Sequence, residues 1–389
     1  MRKLLSSPLK MNLSDSDNIN YQNILKHVPD ILLNLMAIKV ENRPENFLDW
    51  CNELLRLCKH QLNLELLEQS KLPTLKKLQT ALEQAISFAQ LRMLRIAPWP
   101  IFHDFITQCS LKQSVEERLS LLAYIEQIKQ TPLAEMIEED RLAMAGKHTI
   151  KHDTSVYKFD CEWFCSTKTS TVFHQLLTQY PEKFDQALAH IPINGEISTL
   201  HYQAFVAAYS EIFKIYAADE KITLSAATRL LAMRRPDQFV AFPNKKIDVM
   251  CQAFGIAKFN NTDFDSYWYD LIATMRTFSW WKSDAPETQN ELTLWQVRAI
   301  LIDLYFYCDD EQASQSNYIK QISKQKNVNT ITSSVPKRSK ASIEELVDRA
   351  LLDSDLPEFI IKKRDSIVHQ VQNGKSIEQV ITLMKAIFS

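Results

Sequence analysis

The chain has 389 residues, with 45 Lys+Arg against 47 Asp+Glu and a formal net charge of -2, so any surface that attracts nucleic acid must be local. Only 4 glycines occur, against an average usage of about 7%, which weighs against doubly wound and P-loop folds, whose phosphate-binding turns need glycine, and against nucleotide hydrolysis. The length predicts two or three structural units.

The opening stretch, MRKLLSSPLKMNLSDSD, has no apolar run of signal-peptide length before Ser14 and Asp15. The most apolar segment, AILIDLYFYC, is broken by Asp303 and falls far short of the roughly 20 residues a membrane span needs. With 7 scattered cysteines and no leader, a cytoplasmic protein with reduced thiols and no membrane partner is expected.

From Ile19 to Glu139 the sequence is rich in Leu, Ile, Ala, Gln and Lys, and Pro29, Pro44, Pro73, Pro98, Pro100 and Pro132 punctuate helical runs. Leu48, Cys51, Leu54, Leu55 and Cys58 recur at helical spacing. An N-terminal helical domain over 1–140 is predicted. No fixed-period repeat is present.

Residues 140–195 are less regular, and HTIKHDTSVYKFDCEWFCS has the β-branched and aromatic content of a loop or short strand pair. It also contains His148, His152, Cys161 and Cys165, ligand types that zinc accepts, in a spacing that matches no standard finger. Packing of the two cysteines beside a buried Trp163 and Phe164 accounts for the same residues. No metal or other cofactor is predicted, and these four are the candidate ligands if one is held.

A second helical region runs from Thr199 to Tyr307 and defines a central domain over 141–310. SAATRLLAMRR reads as a helix capped by Ser225 and stopped before Pro236. Arg234 and Arg235 then sit in its last turn, where the dipole alone favours cations. Asn244 is the predicted N-cap of a helix over 245–254, with Ile247, Met250, Cys251 and Phe254 on one face and Gly255 as its stop. Its first turn carries Lys245 and Lys246, where the positive end of a helix prefers an anion. Between Lys221 and Lys246 stand six basic residues (Lys221, Arg229, Arg234, Arg235, Lys245, Lys246) and one acid, Asp237, a local charge of +5. That asymmetry is the footprint expected for phosphate-backbone contacts, although a solvated face or an intramolecular acidic partner also produces it.

The segment LLAMRRPDQFVAFPN, a helix ending at Pro-x-x-Phe and followed by a capped helix, resembles helical DNA-glycosylase-like folds and bacterial proteins associated with phage defence. The resemblance covers residues 225–281. It implies a helical DNA-associated scaffold; base excision would require a glycine-rich helix-hairpin-helix, and the region has only Gly255 and no Leu-Pro-Gly-x-Gly hairpin.

Phe264, Tyr267, Trp268, Leu271, Ile272 and Met275 form a core-facing stripe, whereas the adjacent Trp280 and Trp281 cannot both face one interior on a regular helix. Trp281 is therefore a candidate for stacking on a base. The NGKS at 373–376 fails as a P-loop because His369 occupies its first glycine position. A restriction-type nuclease reading of Pro236-Asp237 fails because Asn244 stands where a carboxylate is needed.

Residues 311–341 are polar and nearly free of large apolar side chains, which predicts a flexible linker. Capping-box patterns at Ser342 with Glu345 and Ser376 with Gln379 then predict a helical module over 342–389. The expected fold is all-α (predominantly α), an irregular multi-helical bundle with a small C-terminal module. The expected function is that of a non-enzymatic nucleic-acid-binding or accessory subunit, in the context of phage defence. Its predicted contacts to DNA backbone are Arg229, Arg234, Arg235, Asn244, Lys245, Lys246 and Trp281. The alternative is a helical interaction scaffold that binds a protein partner through the C-terminal module; a glycosylase-like enzyme ranks third.

Overall fold

The fold is given by a computed structural model. It describes residues 2–3, 11–31, 39–40, 44–62, 67–109 and 112–331, and beyond these 344, 347, 351, 360, 363–372, 377, 380 and 381. The protein is all-α; among the described residues the only strand pairing is a two-residue antiparallel contact of Arg2–Lys3 with Lys39–Val40. No described helix is long and apolar enough to cross a membrane. The chain divides into two compact units, Met1–Ser323 and Lys324–Ser389.

The larger unit begins with α1 (Asp15–Leu25) and α2 (Phe47–His60), capped by Ser14 and Asn46 side chains that accept from the Asp17 and Asp49 amides. Both pack on α3 (Leu72–Met93) around Ile24, Trp50, Cys51, Leu54, Leu55, Leu78 and Leu82. The predicted stripe of α2 is buried except for half-buried Leu48, and Phe47, Trp50 and Leu57 widen it. At 22 residues, α3 is about 33 Å long, more than one small core can cover. Its C-terminal half therefore contributes Phe88 and Leu91 to a second, larger core that runs on to Tyr305. This core holds residues on both sides of position 140, within the one compact unit Met1–Ser323.

That second core is built from α4 (Trp99–Thr107), α5 (Lys112–Ile128), α6 (Glu138–Ala145), α7 (Thr171–Gln179), α8 (Pro181–Ala189) and α9 (Thr199–Tyr216). They are followed by α10 (Leu224–Arg234), α11 (Ile247–Phe254) and α12, which runs through Phe264–Ser266, Tyr267–Ile272 and Ala273–Met275 with a π-helical middle. Short helices α13 (Ser279–Lys282) and α14 (Gln289–Trp295) and a 3-10 segment, Ile300–Tyr305, complete it. The stripe predicted for α12 is buried apart from half-buried Phe264. Gly255 ends α11 at φ 71°, the left-handed conformation a glycine stop supplies. Ser225 is not a cap: it lies inside α10, and its hydroxyl donates to the Phe242 carbonyl.

His174 of α7 is buried, and burial pulls its pKa down to about 4. The unfolded chain, with a histidine near 6.5, binds the extra proton first. Stability from this group is therefore complete above about pH 6.5 and is lost as the pH falls toward 4, up to about 3 kcal/mol. In urea melts between pH 7 and 4, His174→Gln is expected to flatten this loss, and an unchanged slope would contradict it.

The first part of the predicted linker is helical. α15 (Asp310–Ser314) and α16 (Asn317–Ile331) follow the core directly. The polar composition misled because this segment docks through hydrogen bonds: the Ser316 hydroxyl donates to Glu117, the Asn317 amide to Asp160, and Gln321 to the Ile150 and His152 carbonyls. Residues 332–341 and the capping pairs Ser342/Glu345 and Ser376/Gln379 lie outside the described residues. In the smaller unit, α17 (Arg364–Gln372) supplies Ile367 and Val368 to an apolar cluster with Val347, Ile360 and Val380.

Candidate anion-binding groove

Most of the predicted phosphate contacts are internal. Arg229 is fully buried, and its guanidinium donates to the carbonyls of Met144, Ala143, Cys161 and Trp163. It thereby satisfies the C-terminal carbonyls of α6 and fixes the irregular loop 147–170, which the sequence left unassigned. Gly146 sits there at φ 81°, where a Cβ would overlap the Cys165 carbonyl and meet Arg229. Burial pulls the Arg229 pKa down to about 10, and the charge is held by carbonyl dipoles in place of a phosphate. Arg235 is 4% exposed and grips Asp237 through two 2.8 Å bonds, with further bonds to the Pro192 and Gly195 carbonyls. Half-buried Arg234 donates to the Ile191 carbonyl at 2.8 Å. Arg229 and Arg235 are therefore corrected from ligand contacts to ties between chain segments.

Trp281 is also corrected. The helix carrying it is one turn long, and both tryptophans are covered, Trp280 at 0% and Trp281 at 9% exposed. Trp280 stacks on Phe102 at 4.8 Å and donates to the Leu94 carbonyl, while Trp281 lies against the Arg298 guanidinium at 5.4 Å. No face of Trp281 is open for a base.

At the other end of the basic stretch, Asn244–Lys246 forms a 3-10 turn that leads into α11. Asn244 is exposed and its side chain caps nothing. Lys246 is neutralised internally: it pairs with Asp303, which Arg118 also holds at 2.9 Å, and stands 4.3 Å over the Phe306 ring. Burial alone would raise the Asp303 pKa, yet the two cations hold it below the usual carboxylate range. Lys245 remains exposed with no ion-pair partner among the described residues. Of the two lysines, one is intramolecularly compensated and one is not.

Lys245 opens onto a basic surface that the sequence reading missed. The outer face of α3 carries Lys76, Lys77, Thr80 and Gln84, opposite the buried Leu75, Leu78 and Leu82. With Asn23, Lys26 and His27 from the end of α1, this face lines a groove of about 590 Å³. Thr80 and Gln84 also line a cleft of about 210 Å³, whose far wall holds Lys245, Lys246, Tyr307 and Gln312. Glu83 is the one carboxylate in these two linings, and Lys59 holds it at 2.7 Å. Lys26, Lys76, Lys77 and Lys245 are all exposed, without ion-pair partners among the described residues. Such a carboxylate-poor set of cations, on two clefts that share Thr80 and Gln84, can neutralise a line of negative charges.

Of the candidate metal ligands, His148, His152 and Cys161 come together, with ligand atoms within 4.8 Å of one another. Cys165 is elsewhere, its thiol directed to the Ser225 carbonyl and its pKa pushed up to about 12 by burial. His152 Nδ1 accepts from the Thr149 amide, so its Nε2 donates to the Glu139 carbonyl. His148 Nδ1 accepts from the Cys161 amide, leaving Nε2 to donate to Gln321. Coordination through Nδ1 would take the acceptor from the Thr149 or Cys161 amide, and coordination through Nε2 the donor from the Glu139 carbonyl or Gln321, at about 1–3 kcal/mol for each group left buried. Burial also raises the Cys161 pKa and keeps the thiol neutral. The cluster as it stands joins the loop to α16.

Comparison with family models, with curated proteins and with solved structures finds no match.

Proposed function

We propose that this protein binds the phosphate backbone of nucleic acid along the groove formed by α3, the end of α1 and the 244–246 turn, as a non-enzymatic accessory subunit. The single observation that carries the reading is the row Lys26, Lys76, Lys77 and Lys245, exposed and without an ion-pair partner among the described residues on a chain of net charge -2. Each of these ammonium groups loses little on meeting a phosphate, since no internal ion pair has to break and only the exposed Lys26 bond to Asn23 Oδ1 is exchanged, and condensed counterions are released. The surface supplies charge without a planar stacking platform: Phe306 is occupied by Lys246, and Tyr307 by Lys59 at 4.9 Å. Binding of this kind is indifferent to base sequence. In an anisotropy titration at low salt, a labelled duplex is expected to show saturable micromolar binding regardless of sequence. Absence of saturation sinks the reading.

A second reading, the interaction scaffold, is favoured by the separate apolar cluster of Val347, Ile360, Ile367, Val368 and Val380 in the smaller unit. It makes truncation after Ser323 abolish capture of a protein partner while leaving duplex affinity unchanged.

A further inference from the structure

A second anion site is indicated by an imbalance of charge around Asp237, away from the lysine groove. Arg235, Arg276 and Arg298 gather about this one carboxylate. Both its oxygens are already engaged by Arg235, and Gln238 adds a 2.9 Å bond. Arg276 is half-buried, lies 4.6 Å over the Trp268 ring and donates to the Ile197 carbonyl and to Gln238 Oε1 at 3.1 and 3.3 Å. Arg298 is 6% exposed, with Trp295 and Trp281 rings at 3.9 and 5.4 Å. Its Nη1 donates to the Trp295 carbonyl, whereas its buried Nε has no partner among the described residues. Neither Arg276 nor Arg298 forms an ion pair with a described carboxylate.

A guanidinium taken out of water without a counter-charge is costly, and native proteins pair such groups or bind an anion. Burial lowers the pKa of both arginines, that of Arg298 to about 10, which marks the same deficit. The Asp237 side chain remains 23% exposed, so the cluster is open to solvent on that side. We propose that Arg276 and Arg298, with Gln238 linking Arg276 to Asp237, hold an oxyanion group of a small ligand, a phosphate or a carboxylate. Planar guanidinium forks match two oxygens of either group, and the half-buried Trp295 ring, 3.9 Å from the Arg298 guanidinium, offers an apolar wall for the ligand's body. Asp237 does not repel such a guest strongly, because Arg235 and Gln238 already neutralise it.

The test is a thermal-shift titration of the full chain with inorganic phosphate and, separately, acetate, each against potassium chloride at matched ionic strength. One of the two is expected to raise Tm saturably, by about 3 °C at 20 mM for a millimolar site; the one that does identifies the source chemistry. The rise is expected to disappear in Arg276→Met and in Arg298→Met, and to persist in Lys76→Glu/Lys77→Glu, which separates it from the groove. Arg276 is only half-buried, so its variant remains informative if Arg298→Met does not fold. No rise with either anion beyond the chloride control, or an undiminished rise in Arg276→Met, overturns the proposal.

Discussion

Arg229→Met is expected to lower the free energy of unfolding by about 4 kcal/mol or more, measured in urea at neutral pH. Methionine fills much of the space but donates nothing, so four carbonyls, those of Ala143, Met144, Cys161 and Trp163, lose their donor in the interior. Two of them end α6, where the negative pole of the helix had been facing a cation. The other two belong to the irregular loop, which has no ladder of its own to fall back on. Lysine should rescue little, because one ammonium cannot reproduce the fork that reaches both segments. A loss below about 1 kcal/mol would show that the loop is held by something else.

The triple variant Lys76→Glu/Lys77→Glu/Lys245→Glu is expected to weaken duplex binding about 1,000-fold at low salt, roughly 4 kcal/mol. All three side chains are exposed, so their replacement leaves both apolar cores intact and Tm close to that of the parent. Each change converts an attraction for phosphate into a repulsion. Arg234→Gln serves as the contrast: this arginine is half-buried on the Ile191 carbonyl and should alter stability more than affinity. An undiminished affinity in the triple variant would remove the groove from consideration.

Helices with one apolar stripe were legible in the sequence, as the burial of α2 and α12 shows, because periodicity alone decides which face turns inward. The status of Arg229 was legible in principle. α10 is apolar on nearly every side, with Ala226, Ala227, Leu230, Leu231 and Met233 all buried, and a helix without a polar face carries its charges inside. Counting cations in a window could not reveal this, since the count treats buried and exposed arginines alike. The groove was hidden for a different reason: its lysines come from positions 26, 76, 77 and 245, and no local window joins them. The pair Lys76-Lys77 on the polar face of a helix was the available signal. Residues 311–331 were misread because Ser316, Asn317 and Gln321 dock by hydrogen bonding to Glu117, Asp160 and backbone carbonyls, which an apolar pattern does not register.

The affinity of the wild-type chain for a duplex of about 20 base pairs, followed from 50 to 200 mM salt, speaks most directly to backbone binding in the groove. Four exposed lysines meeting phosphates predict that log Kobs falls against log salt with a slope of about -3 to -4. A slope near zero, or no measurable binding at 50 mM salt, would contradict it.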